Sequence, residues 1–209
     1  MVGQGVLREC LRDPCVDRVL SVGRTATGQE DAKLDEILRD DVADLAPVRA
    51  QLTGYDACFY CLGVSSIGLA EPEYRRITYG LTLSVAAILA AENPGMTFVY
   101  VSGTGTDSSA RGRSMWARVK GETENALLRL PFHAVYLFRP GYIQPLHGIV
   151  AKTRWVRLLY AILGPAYPLL KALFPGAVTT TEQIGRAMLH VARQGFPQRV
   201  LENRQINSC

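Results

Sequence analysis

Between Thr97 and Leu130 the chain reads TFVYVSGTGTDSSARGRSMWARVKGETENALLRL, and this stretch restricts the fold more than any other. Residues 98–101 are β-branched and aromatic, too short a run for a helix, and closed by Ser102-Gly103, which makes them a buried strand. A loop of hydroxyls and glycines follows: Ser102, Thr104, Thr106, Ser108 and Ser109, with Ala110 the one apolar residue among them. Such a loop cannot pack into a core but can line a polar site. From Ser114 onward Met115, Val119, Thr123, Ala126, Leu127 and Leu130 recur at three- and four-residue steps, the period of a helix. Trp116 and Lys120 stand four apart and so project from one side of it. A strand tipped with a hydroxyl, facing a lysine on the next helix, suits a sugar, a ribose or a carbonyl.

The rest of the chain repeats the same alternation. Residues 6–11 place Val6, Leu7, Cys10 and Leu11 on one helical face, and Asp13-Pro14 stops that helix. RVLSVGR (18–24) reads as a strand ending in Gly23-Arg24, residues 37–42 as a short strand, and YDACFYCLG (55–63) as an apolar strand ending in glycine. Residues 71–93 form the longest helix, with Tyr74, Ile77, Leu81, Val85, Ile88 and Leu89 in its buried stripe and Asn93-Pro94-Gly95 at its end. Residues 133–143 give another strand and an Arg139-Pro140-Gly141-Tyr142 turn. Strand and helix in regular alternation imply right-handed crossovers and a doubly wound parallel sheet, an α/β fold. Thr180-Thr181-Glu182-Gln183 has the form of a capping box before a last helix.

With 209 residues, 48% hydrophobic and 20% charged, one domain with a full core is expected. A net charge of +4 favours a solvated surface over nucleic-acid binding. Five cysteines in apolar contexts point to reduced thiols in a cytoplasmic protein, and the N-terminus does not read as a signal peptide. Cys58 and Cys61 have the spacing of a redox pair, yet alternation along a strand sends them to opposite faces. The three histidines, His133, His147 and His190, lack any metal-binding spacing. Residues 155–174 are apolar and aromatic, with Gly164-Pro165, Pro168, Arg157 and Lys171 against a spanning helix. Packing against the sheet or peripheral contact with a membrane surface are both consistent with that segment.

Strand, serine, polar loop, then a helix bearing an aromatic and a lysine four residues on resembles the active-site segment of the short-chain dehydrogenase/reductase superfamily. Its motif is Tyr-x-x-x-Lys, which here is Trp116-Ala117-Arg118-Val119-Lys120. The Arg139-Pro140-Gly141 turn matches the atypical members, and the whole chain resembles their epimerase-like NAD(P)-binding proteins, including the Tat-interacting-protein-like group. The resemblance implies a single Rossmann-like domain over residues 1–209, with 144–209 as a helical substrate-side part. It implies Ser102 and Lys120 as catalytic residues, and Gly3, Arg24, Asp41, Val42, Leu62, Gly63, Lys120, Pro140, Gly141 and Tyr142 as cofactor contacts. An arginine at the end of the second strand favours NADP over NAD, although a solvated strand end reads equally well from Arg24 alone. Gly3 matches the last glycine of a Gly-x-x-Gly-x-x-Gly loop. The earlier glycines and the first strand are expected upstream of Met1, and without them two strand edges are left unpaired inside a buried layer and the pyrophosphate site is half built.

Indole N–H cannot act as an acid or base near neutral pH, so Trp116 takes proton transfer from its usual place. Tyr142, Tyr100 or a water held by Ser102 and Lys120 could supply it. Two functions follow: an NADP-dependent oxidoreductase on a small carbonyl or alcohol, or a non-catalytic NADPH-binding regulatory or scaffold module. A form unable to bind cofactor follows from the missing glycines.

Overall fold

In the computed structural model, residues 1–149 and 167–209 are described, without the side chains of 168–170. Most of the apolar segment expected to pack or to touch a membrane, residues 155–166, lies outside them. No described helix is long and apolar enough to cross a membrane.

Helix α1 (Val2–Arg12) leads into strands β1 (Val19–Gly23) and β2 (Leu34–Leu38), then β3 (Ala57–Tyr60). A continuous helical run follows as α2 (Glu71–Arg75), a π turn at Arg76–Gly80 and α3 (Leu81–Glu92). Next come β4 (Thr97–Val101), α4 (Met115–Leu127), β5 (Ala134–Arg139) and β6 (Tyr142–Gln144). After α5 (Tyr167–Leu173) the chain closes with β7 (Val178–Thr180), α6 (Thr181–Gln194), β8 (Val200–Glu202) and α7 (Asn203–Ser208).

Every recorded strand pair is parallel, as the alternation of elements requires. The central layer has four strands in the order β3-β4-β5-β8, with β1-β2 and β6-β7 as separate pairs. Period-two alternation along β4 and β5 fills two cores. Val99, Tyr136 and Phe138 face one side with Val6, Ile184 and Met188, while Phe98, Tyr100 and Leu137 face the other with Val85, Leu89 and Leu127. A fully buried aromatic or leucine contributes about 1.5–3 kcal/mol, so both faces of this layer are strongly driven. The sheet is therefore covered on both sides, the doubly wound arrangement.

β1 bonds to β2 on one side, and β3 to β4 on one side; α1 packs against both β1 and β3. Among the described residues no strand joins the two. Cys58 and Cys61 do point to opposite cores, and burial pushes each thiol up to about 12, so neither is a ready thiolate at neutral pH. The Thr180 side chain accepts the Gln183 N–H at 3.0 Å, the cap read from the sequence.

Three boundaries differ. The strand expected at 37–42 runs instead from Leu34 to Leu38, because its register against β1 begins at Val19↔Leu34 and places Ile37 in the core. Asp41 and Val42 fall in the following turn, with Asp41 Oδ1 accepting the Ala43 N–H at 2.9 Å. The strand expected at 55–63 narrows to β3. The C-terminal part, expected as helical, also supplies β7 and β8, and β8 forms the far edge of the main sheet.

Candidate functional site

Because the strands run parallel, the chain leaves β4 and β5 on the same edge, and the loop after β4 meets the turn after β5 there. The Thr104 N–H donates to the Pro140 carbonyl at 3.0 Å, and its hydroxyl donates to the Arg139 carbonyl at 3.0 Å. Gly103 (φ 139°) and Gly105 (φ 87°) carry the loop through conformations that side chains resist. Their open faces receive helix α4. A β-carbon at Gly103 would stand 3.9 Å from Lys120 Nζ, and one at Gly105 3.3 Å from the Trp116 ring. Trp116 and Lys120 thus reach the same loop, as their four-residue spacing requires.

Lys120 Nζ donates to the Ser102 carbonyl oxygen. Burial lowers the pKa of this amine, against the opposing pull of the Glu124 carboxylate one turn on. The Ser102 hydroxyl turns the other way. It is 5% exposed and donates to Glu124 Oε1 at 2.6 Å, with the Phe138 carbonyl at 3.2 Å. Of the other loop hydroxyls, Thr106 is buried, while Thr104, Ser108 and Ser109 are exposed.

Behind this loop lies a polar bracket that sequence reading missed. Glu124, 1% exposed, takes the Arg139 guanidinium through both carboxylate oxygens, Nε to Oε1 at 3.0 Å and Nη2 to Oε2. Arg139 also reaches Ser108 Oγ at 2.6 Å and Glu202 Oε1 at 3.3 Å. The side-chain bond to Glu124 is the main cause that raises the Arg139 pKa, and fork-to-fork geometry explains why arginine stands there. A charged residue in a polar helix gives no sign of this inward direction; only the alternation of β5 could have suggested that Arg139 faces the layer.

Gly141 is fixed by close approach: a β-carbon there would overlap the Ala177 carbonyl oxygen, whose lone pair takes the Tyr142 N–H at 3.0 Å. The Gly141 N–H donates to Asn203 Oδ1 at 3.0 Å. Beside them opens a cavity of about 310 Å³, lined by Thr104, Gly141, Ala177, Glu202, Asn203 and Arg204 among others.

Ser102, Lys120, Pro140 and Gly141 are thereby brought together at one end. Tyr142 lies next in the chain, its hydroxyl donating to Gln144 Oε1 at 2.8 Å and its pKa raised by burial. At the other end, Gly3 sits in the first turn of α1, with its β position 3.3 Å from Cys61 Cβ, just before Leu62 and Gly63. Leu62 is exposed, and nothing stands within 4 Å of a β-carbon at Gly63. Arg24 and Asp41 are exposed past the ends of β1 and β2, and Val42 is buried. Tyr100 lies in the core against Tyr60, with its pKa raised by burial, which removes it as a proton donor to this edge.

No protein-family model matches the chain. It is 26% identical over 206 residues to protein FMP52-2, mitochondrial, of Scheffersomyces stipitis, covering 95% of this chain and 85% of that one. It is 31% identical over 149 residues to protein fmp52-1, mitochondrial, of Aspergillus terreus, covering 68% and 62%. A similar protein of Emericella nidulans is 29% identical over 150 residues, covering 68% and 63%, so the chain matches under two thirds of the length of these last two. All three carry mitochondrial names, which overturns the expectation of a cytoplasmic protein. Cysteine usage does not separate the cytosol from an organelle.

Among solved structures, a dTDP-glucose 4,6-dehydratase from Streptomyces venezuelae with NAD bound superposes with a TM-score of 0.68 at 16% identity, covering 99% of this chain and 76% of that one. A short chain dehydrogenase from Burkholderia cenocepacia in complex with NADP gives 0.65 at 12% identity, covering 99% and 86%. With parallel strands, helices on both faces and a lysine-bearing helix at the carboxyl edge, the chain has the Rossmann-like fold of the atypical short-chain dehydrogenase/reductase and epimerase-like proteins.

Proposed function

We propose that this chain binds a nicotinamide dinucleotide, NADP before NAD, across the carboxyl edge of its strands and serves as an oxidoreductase on a small carbonyl or alcohol. The observation that carries the reading is Lys120: its amine is held against the Ser102 carbonyl, beside the Arg139-Pro140-Gly141 turn and under a glycine loop. The residues fit the nicotinamide end of such a cofactor. Lys120 would hold the ribose, and Pro140, Gly141 and Tyr142 would border the ring. Ser102 acts through its carbonyl, fixing the lysine, while the Thr104 hydroxyl, its proton given to the Arg139 carbonyl, ties the glycine loop to the turn after β5. Toward the other end, Gly3 and the first turn of α1 would approach the pyrophosphate, Leu62 and Gly63 the adenosine ribose, and Asp41 with Val42 the adenine. Arg24 suits a 2′-phosphate.

When bound, the reduced cofactor would supply hydride to a carbonyl carbon, and a water held by Ser102 and Lys120 would supply the proton that the oxygen takes up. The chain's own residues orient the pair and keep a cation near the developing oxygen charge. NADPH consumption across a panel of aldehydes and ketones tests the reading, with loss in Lys120→Met; a full panel without turnover contradicts it.

A second reading, a nucleotide-binding module without turnover, is favoured by one feature. Trp116 stands where the family motif has tyrosine, with its ring packed over Gly105. Trp116→Tyr separates the two: a gain in turnover of about tenfold or more supports an enzyme with a weak proton donor, and no turnover in either form supports the module.

A further inference from the structure

Two charged side chains stand on the wall of the cavity beside Gly141, and the fold answers the charge of one of them. Glu202 gives its Oε1 to Arg139 Nη1 at 3.3 Å. Arg204 is exposed, and among the described residues it has no hydrogen-bond or ion-pair partner. Its arm is seated nonetheless. A β-carbon at Gly176 would stand 3.0 Å from Arg204 Nε and 3.2 Å from its Cγ, so the arginine lies across a residue without a side chain, and both line the cavity. The wall beneath is fixed from two directions. Asn207 Nδ2 donates to the Val178 carbonyl at 2.8 Å and to the Pro175 carbonyl at 3.2 Å, while the Ala177 carbonyl takes the Tyr142 N–H at 3.0 Å. Arg204 and the Gly141 turn are thus held against one short segment, with Thr104 of the Lys120 loop on the same cavity.

Gly141, Gly176 and Ala177 offer the cavity nothing larger than a methyl group, so selection by charge falls to Arg204 and Glu202. The charges at this edge leave a positive surplus. Lys120, Arg139 and Arg204 are the cations; Glu124 and Glu202 are the carboxylates, and both are bonded to Arg139. An ammonium group here would find only a carboxylate already shared with Arg139, and it would face Arg204. An arginine with its arm in place and its fork open suits a planar anion, because two parallel N–H bonds form with little side-chain freedom left to lose. The volume of about 310 Å³ lies at the small end of ligand pockets, roughly 300–1,000 Å³, so the group it takes is small.

We infer that Arg204 selects an anionic substrate: a small carbonyl compound bearing a carboxylate, which pairs with the Arg204 guanidinium while the carbonyl lies toward Lys120. It rests on the oxidoreductase reading for the position of the carbonyl. Arg204 is a specificity determinant and takes no part in proton or hydride transfer. Gly176 seats it.

Phenylglyoxylate, phenylglyoxylamide and 2-aminoacetophenone share one shape around the ketone and carry a negative charge, none and a positive charge. Calorimetry follows their binding to the full chain, with and without NADPH, and NADPH consumption follows turnover. The acid is expected to bind about tenfold more tightly than the amide, the worth of one charge-assisted pair, and the amine most weakly. Added salt should shrink that margin. Arg204→Gln, on an exposed side chain, should erase it and leave NADPH affinity as it was; Arg204→Lys, which keeps the charge and loses the fork, should retain part of it. Gly176→Ala should narrow it by displacing the arm. Equal binding of acid and amide overturns the inference, as does tighter binding of the amine, a margin untouched by Arg204→Gln, or no binding of any probe. A fall in NADPH affinity in Arg204→Gln gives the arginine to the cofactor and overturns it too. An acid margin without NADPH consumption removes hydride transfer and leaves the subsite; equal consumption with acid and amide keeps hydride transfer and removes the subsite.

Discussion

The pair β1-β2 and the central strands β4-β5 run parallel in the same fold, yet they end in different environments. Val19–Gly23 is half-buried along its whole length, while every residue of Ala134–Arg139 is buried. Strand pairing contributes to the difference. β4 and β5 are bonded on both sides and covered by helices on both faces, whereas among the described residues β1 is bonded to β2 alone. The two regions also differ in polar bracing. At the β4-β5 end Ser102, Glu124 and Arg139 form one buried network, which the exposed Ser108 reaches from the surface; at the β1-β2 end Arg24 and Asp41 stand in solvent. The proposed nicotinamide end is thus rigid before any ligand arrives, and the proposed adenine end depends more on the ligand for its order.

The comparison breaks first at Glu124. Glu124→Ala leaves the buried Arg139 guanidinium without its main partner, and a loss of about 3–5 kcal/mol in unfolding free energy is expected by denaturant titration. A loss under 1 kcal/mol, the worth of an exposed pair, would show that the bracket carries little. Gly121→Ala comes next. A β-carbon there overlaps the Asp107 carbonyl oxygen of the loop lying over α4, so a cost of about 1–3 kcal/mol is expected, together with displacement of Thr104. Unchanged stability would mean that the loop moves freely off the helix.

Local stability sharpens the contrast. Amide exchange in Val19–Gly23 should be faster than in Thr97–Val101, and saturating NADPH should narrow the gap by protecting β1; equal protection in the free protein would remove the distinction. The smallest effect is electrostatic. The Lys120 pKa is lowered from 10.5 by burial, so below that value the unfolded chain binds more protons at this residue than the folded one. Stability of the wild type relative to Lys120→Met should therefore rise as pH climbs toward 10.5. A difference independent of pH would mean that the amine is solvated.

Much of this architecture was legible in the sequence because it follows from periodicity. The strand at 97–101, the helix carrying Trp116 and Lys120, the long helix to Glu92 and the Thr180 cap each rest on local patterns. What escaped depends on contacts distant in the chain. Strand β8 is three residues long, and only its pairing with Leu137–Arg139 defines it. The inward turn of the Ser102 hydroxyl depends on Glu124, twenty-two residues away, and Asn203 joins the site only because Gly141 offers it an N–H. A polar residue's direction is set by its partner, and no spacing rule reveals a partner sixty residues off.

The central claim is that a dinucleotide lies across the carboxyl edge with its nicotinamide ribose on Lys120. Titration of the full chain with NADPH and NADH, followed by calorimetry, tests it most directly. Saturable binding is expected, tighter for NADPH, with the preference lost in Arg24→Ala and both affinities reduced at least about tenfold in Lys120→Met. Binding untouched by Lys120→Met, or no binding of either nucleotide, would contradict it.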